Sequence, residues 1–139
     1  MNKTIKVLLA VGAAAVFAFG ANAEAEKALD RGIAYATFGD YNKALADYTQ
    51  AITLDPNYAD AYLWRGVAYG ELGDHDKALA DYSQAIKLDP NSAAAYGFRG
   101  AAYMTIEDYK SATKDARKMC ELGVCVLLQR IEENNHLHD

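Results

Sequence analysis

The 139-residue chain is poorest in the residues that announce chemistry: two cysteines, three histidines and one tryptophan. It has no H-E-x-x-H zinc helix, no G-x-S-x-G elbow, no phosphate-binding glycine loop and no C-x-x-C-H haem attachment. Its carboxylates are scattered, so spacing picks out no acid/base pair. No catalytic residue, cofactor or metal site is expected, and the chain does not read as an enzyme. It also lacks a basic stripe, and its formal charge is -5. An acidic surface repels phosphate backbones, which excludes nucleic acid as a partner. Finally, it lacks an apolar run long enough to cross a bilayer. The stretch from Val7 to Gly20 is fourteen residues, short of the ~20 a spanning helix needs.

That stretch follows Lys3 and Lys6 and precedes the small residues Ala21-Asn22-Ala23, the layout of a secretory signal peptide over residues 1–23. Cleavage after Ala23 would leave a soluble protein starting at Glu24, with no membrane insertion and a net charge of -7. No cysteine stands near the cleavage point to carry a lipid. The alanine-rich signal points to export, to a bacterial periplasm, where cysteines meet an oxidising environment.

Self-comparison carries the architecture. Residues 25–58 align without gaps to residues 59–92, with 21 of 34 positions identical. A third copy starts at Ala93 and matches the second at 11 of 34 positions, its decay falling mostly in the second half. Each copy reads as two helices. Ala44, Tyr48, Ala51 and Ile52 share one helical face. Gly39 and Gly73 suit the left-handed end of a first helix, and Asp40 and Asp74 suit the cap of the second. Pro56 and Pro90 stop that second helix, and Asn57 and Asn91 are placed to cap the next copy. Gly32, Gly66 and Gly100, with Ala44, Ala78 and Ala112, mark close approach of the paired helices. Tyr35, Tyr69 and Tyr103 are expected in the core, His75 reads as a packing residue, and Arg31, Arg65 and Arg99 are expected to pair with Asp47, Asp81 and Asp115. The other reading of those arginines is a groove that holds an acidic peptide.

With Gly66, Tyr69, Ala78, Tyr82, Ala85 and Pro90 at its spacing, the 34-residue unit resembles the tetratricopeptide repeat. The resemblance implies an all-α fold, a right-handed solenoid of three helix-turn-helix repeats. Their spans are 25–58, 59–92 and 93–122, the last with a degenerate second helix. A capping helix and tail over 123–139 would close the stack. The departures from the family pattern are arginine before the glycine, where leucine is frequent, and a third copy without the helix-stopping proline.

The resemblance also implies that first helices line a concave groove that binds peptides. The matching residues are Glu26, Leu29, Asp30, Ile33 and Thr37, then Asp60, Leu63, Trp64, Val67 and Glu71, then Gly97, Phe98, Ala101, Met104 and Thr105. The lysine and asparagine pattern that clamps a terminal carboxylate is absent. The groove reads as apolar with acidic edges, suited to a segment with hydrophobic anchors and some positive charge. Trp64 and Phe98 are either its anchors or buried between neighbouring helices. The expected function is an exported adaptor or assembly factor that binds another protein or peptide. Self-association as a structural solenoid and a thiol-based redox sensor are the alternatives.

Cys120 and Cys125 bear on the last of these. In an unbroken helix their Cα atoms would lie about 8 to 9 Å apart, beyond disulfide reach. A bond requires a break, and Gly123 is the natural place for it. The structural disulfide is the reading the exported context favours. A zinc set with His136 and His138, a reactive thiol pair and free, buried thiols are the others.

Overall fold

The computed structural model describes residues 22–125 and Ile131. Over residues 22–125 six helices follow one another: α1 over 22–37, α2 (Tyr41–Leu54), α3 (Ala59–Glu71), α4 (His75–Leu88), α5 (Ala93–Thr105) and α6 (Tyr109–Glu121). They pack pairwise as helix-turn-helix repeats, each helix against its sequence neighbours, with α3 also touching α5. The expected signal peptide lies outside the described residues except for its last two, which begin the described part of α1.

The turns explain why each copy is two helices. At Gly39 and Gly73 the backbone is left-handed, φ +79° and +80°. Asp40 N–H donates back to Tyr35 O at 3.0 Å and Gly39 N–H to Ala36 O at 2.9 Å, so two orphan carbonyls are satisfied at once, and Asp74 and Gly73 repeat this to Tyr69 O at 2.9 Å and Gly70 O at 3.0 Å. The same aspartates then cap the next helix, accepting from Lys43 N at 3.3 Å and Lys77 N at 3.3 Å. The third copy repeats this geometry without a glycine. Glu107 takes φ +62°, and Asp108 accepts from Ser111 N at 3.1 Å.

The asparagines after the prolines do not cap, contrary to expectation. Asn57 N–H donates to the Asp55 carboxylate at 3.0 Å and Asn91 N–H to Asp89 at 3.1 Å. A short aspartate turn satisfies the chain there, because the proline has moved the helix start one residue on. Tyr58 then begins α3 with no side-chain cap, and Ser92 caps α5 through Ala95 N at 3.3 Å.

Small residues build most of the core. Ala28, Leu29, Ala44, Tyr48, Ala51, Ala61 and Ala68 form one cluster, and Leu63, Ala78, Tyr82, Ala85 and Ala95 a second. The glycines in the first helices exist for the tyrosines. A Cβ on Gly32 would lie 2.5 Å from Tyr48 Cε1, and one on Gly66 would lie 2.8 Å from Tyr82 Cε1 and 3.2 Å from the Ala78 carbonyl oxygen. The core tyrosines are therefore Tyr48 and Tyr82. Tyr35 is exposed, which corrects the sequence assignment, while Tyr69 and Tyr103 are half-buried and pack against the second and third clusters. Lys43 covers the Tyr35 ring and Lys77 the Tyr69 ring.

The third copy closes differently. Ala112 and Ala116 pack against helical, buried Ile131, with Tyr103 and Met104 alongside. Ile131 thus sits where a closing helix is expected. The rest of the expected capping helix and tail, residues 126–130 and 132–139, lies outside the described residues.

Candidate functional site

Because α1 and α3 are parallel members of successive copies, their exposed faces lie side by side over α2. A recess of about 270 Å³ opens between them, lined by Ile33, Ala36, Thr37, Tyr41, Tyr48, Trp64, Val67, Ala68 and Glu71. Five of these were singled out by the sequence: Ile33, Thr37, Trp64, Val67 and Glu71. The floor is the first core cluster, against which Ile33, Tyr41 and Trp64 pack. Glu71 is exposed at the rim. The recess falls below the range of small-molecule sites, ~300–1,000 Å³, and its lining is apolar with one carboxylate.

An aromatic run leads away from it. The Trp64 ring lies 6.5 Å from Phe98, tilted by 55°, and Phe98 stacks on Tyr82 at 6.1 Å and 15°. Phe98 is 40% exposed, whereas Trp64 is half-buried. Asp60, Glu26 and Asp30 are exposed at the other end. There, burial first and then the charges of Asp60, Glu26, Asp30 and Asp55 push the Tyr58 phenol above its ordinary value.

Several candidates fall elsewhere. Leu29 and Leu63 are each only 6% exposed and belong to the two cores. They support the groove wall from behind and present nothing to a ligand, because their side chains lie on the face turned to the second helices. Ala101 and Thr105 are exposed and Met104 is half-buried beside the third cluster, away from the recess. Gly97 faces Met119, whose Sδ would be 3.2 Å from an added Cβ.

The arginines do not line this recess. Arg65 binds Asp81 through Nε–H at 2.7 Å and Nη2–H at 2.9 Å, and Arg99 binds Asp115 at 2.8 Å through both. Arg31 donates to Asp47 at 2.7 Å, and to Gln50 at 2.9 Å. Arg65 and Arg99 also reach back one copy, to Thr49 Oγ1 at 3.3 Å and Ser83 Oγ at 3.0 Å. The bonds to Asp81 and Asp115 hold both guanidiniums further above their ordinary value. Paired in this way, they are structural ties.

Cys120 and Cys125 are joined in a disulfide, with Cα atoms 4.1 Å apart. The break is at Gly123, φ +93°, where Val124 N–H bonds Met119 O at 3.0 Å. With both sulfurs bonded, they are not thiolate ligands for zinc. His136 and His138 lie outside the described residues.

Two features escaped the sequence reading. Phe38 is 88% exposed, Leu72 47% and Ile106 45%, each at the turn between the two helices of its copy. Their recurrence every 34 residues is visible in the sequence, although a large apolar residue reads there as core. Tyr41 and Ala36 also line the recess without having been named, because they look like packing positions.

A family model described as tetratricopeptide repeat matches residues 29–93 and again 68–123. No curated protein matches the chain. Among solved structures, it is similar to the Arabidopsis OM64 TPR domain, 28% identical, TM-score 0.79, over 86% of this chain and 99% of that one. The Sgt2 TPR domain from Aspergillus fumigatus is 30% identical, TM-score 0.75, over 83% and 78%. The first TPR of Spaghetti (RPAP3), bound to the HSP90 peptide SRMEEVD, is 26% identical, TM-score 0.77, over 83% and 95%.

Proposed function

The chain belongs to the tetratricopeptide repeat family, and from that premise we propose that this interaction module holds a polypeptide segment of another protein in the recess between α1 and α3. The observation that carries the reading is the recess itself. It brings Ile33, Trp64 and Val67 to one apolar surface of about 270 Å³ with Glu71 at its rim. Such a site takes one large apolar side chain, and Glu71 favours a lysine or arginine beside it. Phe98, stacked on Tyr82, offers a second anchor along the aromatic run. Similar proteins bind short peptides: the Spaghetti domain the HSP90 peptide, and yeast Sti1 TPR2B is described in a complex with pHsp70.

The place of action we propose is outside the cytoplasm, as an exported adaptor or assembly factor. The pattern over residues 1–23 supports it, as does the disulfide, which persists in oxidising compartments.

Panning a random peptide library on the mature protein tests the groove. Enriched peptides are expected to carry a large apolar residue next to a lysine or arginine. Trp64→Ala should weaken them about tenfold or more, the size of an anchor truncation, with the helical circular dichroism kept. Glu71→Lys should turn the flanking preference to acidic residues. Enrichment unaffected by either change would rule the recess out.

A further inference from the structure

The repeats supply an internal control for what the fold requires of a second helix. At four positions of α6 the third copy carries Lys110, Lys114, Arg117 and Lys118, where the second has Asp76, Ala80, Ser83 and Gln84 and the first has Asn42, Ala46, Thr49 and Gln50. Two copies fold with none of these cations. The third keeps the packing alanine at Ala112 and the paired Asp115; its inner face changes too, Tyr82 giving way to Ala116 and Ala85 to Met119, and its outward row turns basic.

The row lies on the side of α6 opposite buried Ala112 and Ala116. Lys110, Lys114 and Arg117 are exposed, and Lys118 is half-buried. Together with Arg99 they line an open groove of about 1100 Å³ along α5 and α6. The carboxylates in that groove are Asp115, paired to Arg99 at 2.8 Å, Asp108, which caps α6 through Ser111 N at 3.1 Å, and Glu121, which reaches Lys118 at 3.2 Å and so makes Lys118 the paired member of the row. Helix electrostatics do not account for the row. Arg117 and Lys118 suit a helix C-terminus, but Lys110 stands in the first turn, where a cation is unfavourable. Lys110 and Lys114, and Lys114 and Lys118, are like charges four apart, which opposes helix formation.

We infer that this basic face of α6 is a second docking surface, separate from the groove, and that its occupant is a short carboxylate-rich segment of a partner protein in extended conformation. Spacing supports an extended chain. Four helical residues advance about 6 Å, and two extended residues about 6.6 Å, so acidic side chains at every second position match Lys110, Lys114 and Lys118. The remaining charge argues against a longer polyanion or a membrane. Residues 22–92 carry twelve acidic and six basic residues, and anything extending past α6 meets that field. This inference does not rest on the groove reading, because Glu71 at the recess rim repels the same segment.

The test is fluorescence anisotropy of the mature protein with two eight-residue probe peptides of equal charge. One has glutamate at every second position, and the other has its four glutamates in one block. The alternating peptide is expected to bind about fivefold tighter or more, with affinity falling as salt rises from 50 to 200 mM, as ion pairs between exposed charges are screened. The variant K110D/K114A/R117S/K118Q carries the second copy's own residues and is expected to fold, which circular dichroism checks. It should lose about tenfold or more of the binding. Equal binding of the two peptides, unchanged binding by the variant, tighter binding to a short DNA duplex or anionic vesicles, or self-association that the variant abolishes would each overturn the proposal.

Discussion

Tyr48 combines complete burial with a hydroxyl that has no partner among the described residues. A buried polar group left unpaired costs roughly 1–3 kcal/mol, and the ring already fits against Gly32 without it. Tyr48→Phe is therefore expected to stabilise the protein by about 1 kcal/mol at pH 7 in urea unfolding. The same residue sets the alkaline limit. Burial pushes the Tyr48 and Tyr82 phenols up from an ordinary 10.0 to about 12. Groups whose pKa is raised by folding give their stabilisation in full below the unfolded value and lose it as pH climbs through the folded one. Stability should thus fall between about pH 10 and about 12, and the variant should lose less over that window because one of the two most strongly raised phenols is gone. A variant as sensitive as the parent, or less stable at pH 7, would show that the hydroxyl is satisfied.

At the scale of elements, the turn between α5 and α6 is the weak copy of a motif used three times. Gly39 and Gly73 take positive φ with open space around them, and Glu107 takes it with a side chain. The left-handed conformation costs a residue with a Cβ roughly 1–2 kcal/mol, partly offset by the greater freedom glycine loses on folding, ~0.5–1 kcal/mol. Glu107→Gly is expected to stabilise by about 0.5–1 kcal/mol and Gly73→Ala to destabilise comparably, both read from urea midpoints at constant m-value. The turns show how far the sequence is legible. Helix-ending glycines and capping aspartates follow local rules, so Gly39, Asp40, Gly73 and Asp74 were readable directly. Glu107 was not, since nothing in a glutamate announces positive φ; only its place in the period does. Asn57 and Asn91 misled because a proline two residues after the helix offers the chain a competing aspartate turn. Within the groove, Ile33, Trp64, Val67 and Glu71 were legible from the family register. Leu29 and Leu63 were not separable from them, because a leucine one position from an exposed stripe carries no mark of which side it faces.

At the scale of the whole molecule, a stack of repeats holds together through its nearest-neighbour interfaces, and here one residue type serves both levels. Arg65 closes its own copy through Asp81 and reaches the previous copy at Thr49, and Arg99 does the same through Asp115 and Ser83. Cutting the two ties separately should have different consequences. Ser83→Ala removes the link between copies, together with the hydroxyl's bond to Leu79 O inside α4, and is expected to cost about 0.5–1.5 kcal/mol. Its effect should appear as looser coupling, with amide exchange in α5 and α6 quickening while α1 and α2 keep their protection. Asp115→Asn leaves the half-buried Arg99 guanidinium without its counter-charge, and removing one partner of such a pair costs up to ~3–5 kcal/mol, less here because Arg99 retains some water and the Ser83 bond. That larger loss should unfold the third copy first. Uniform acceleration of exchange through all six helices in both variants would show instead that the copies unfold as one unit and that the arginine ties do not set the boundaries between them.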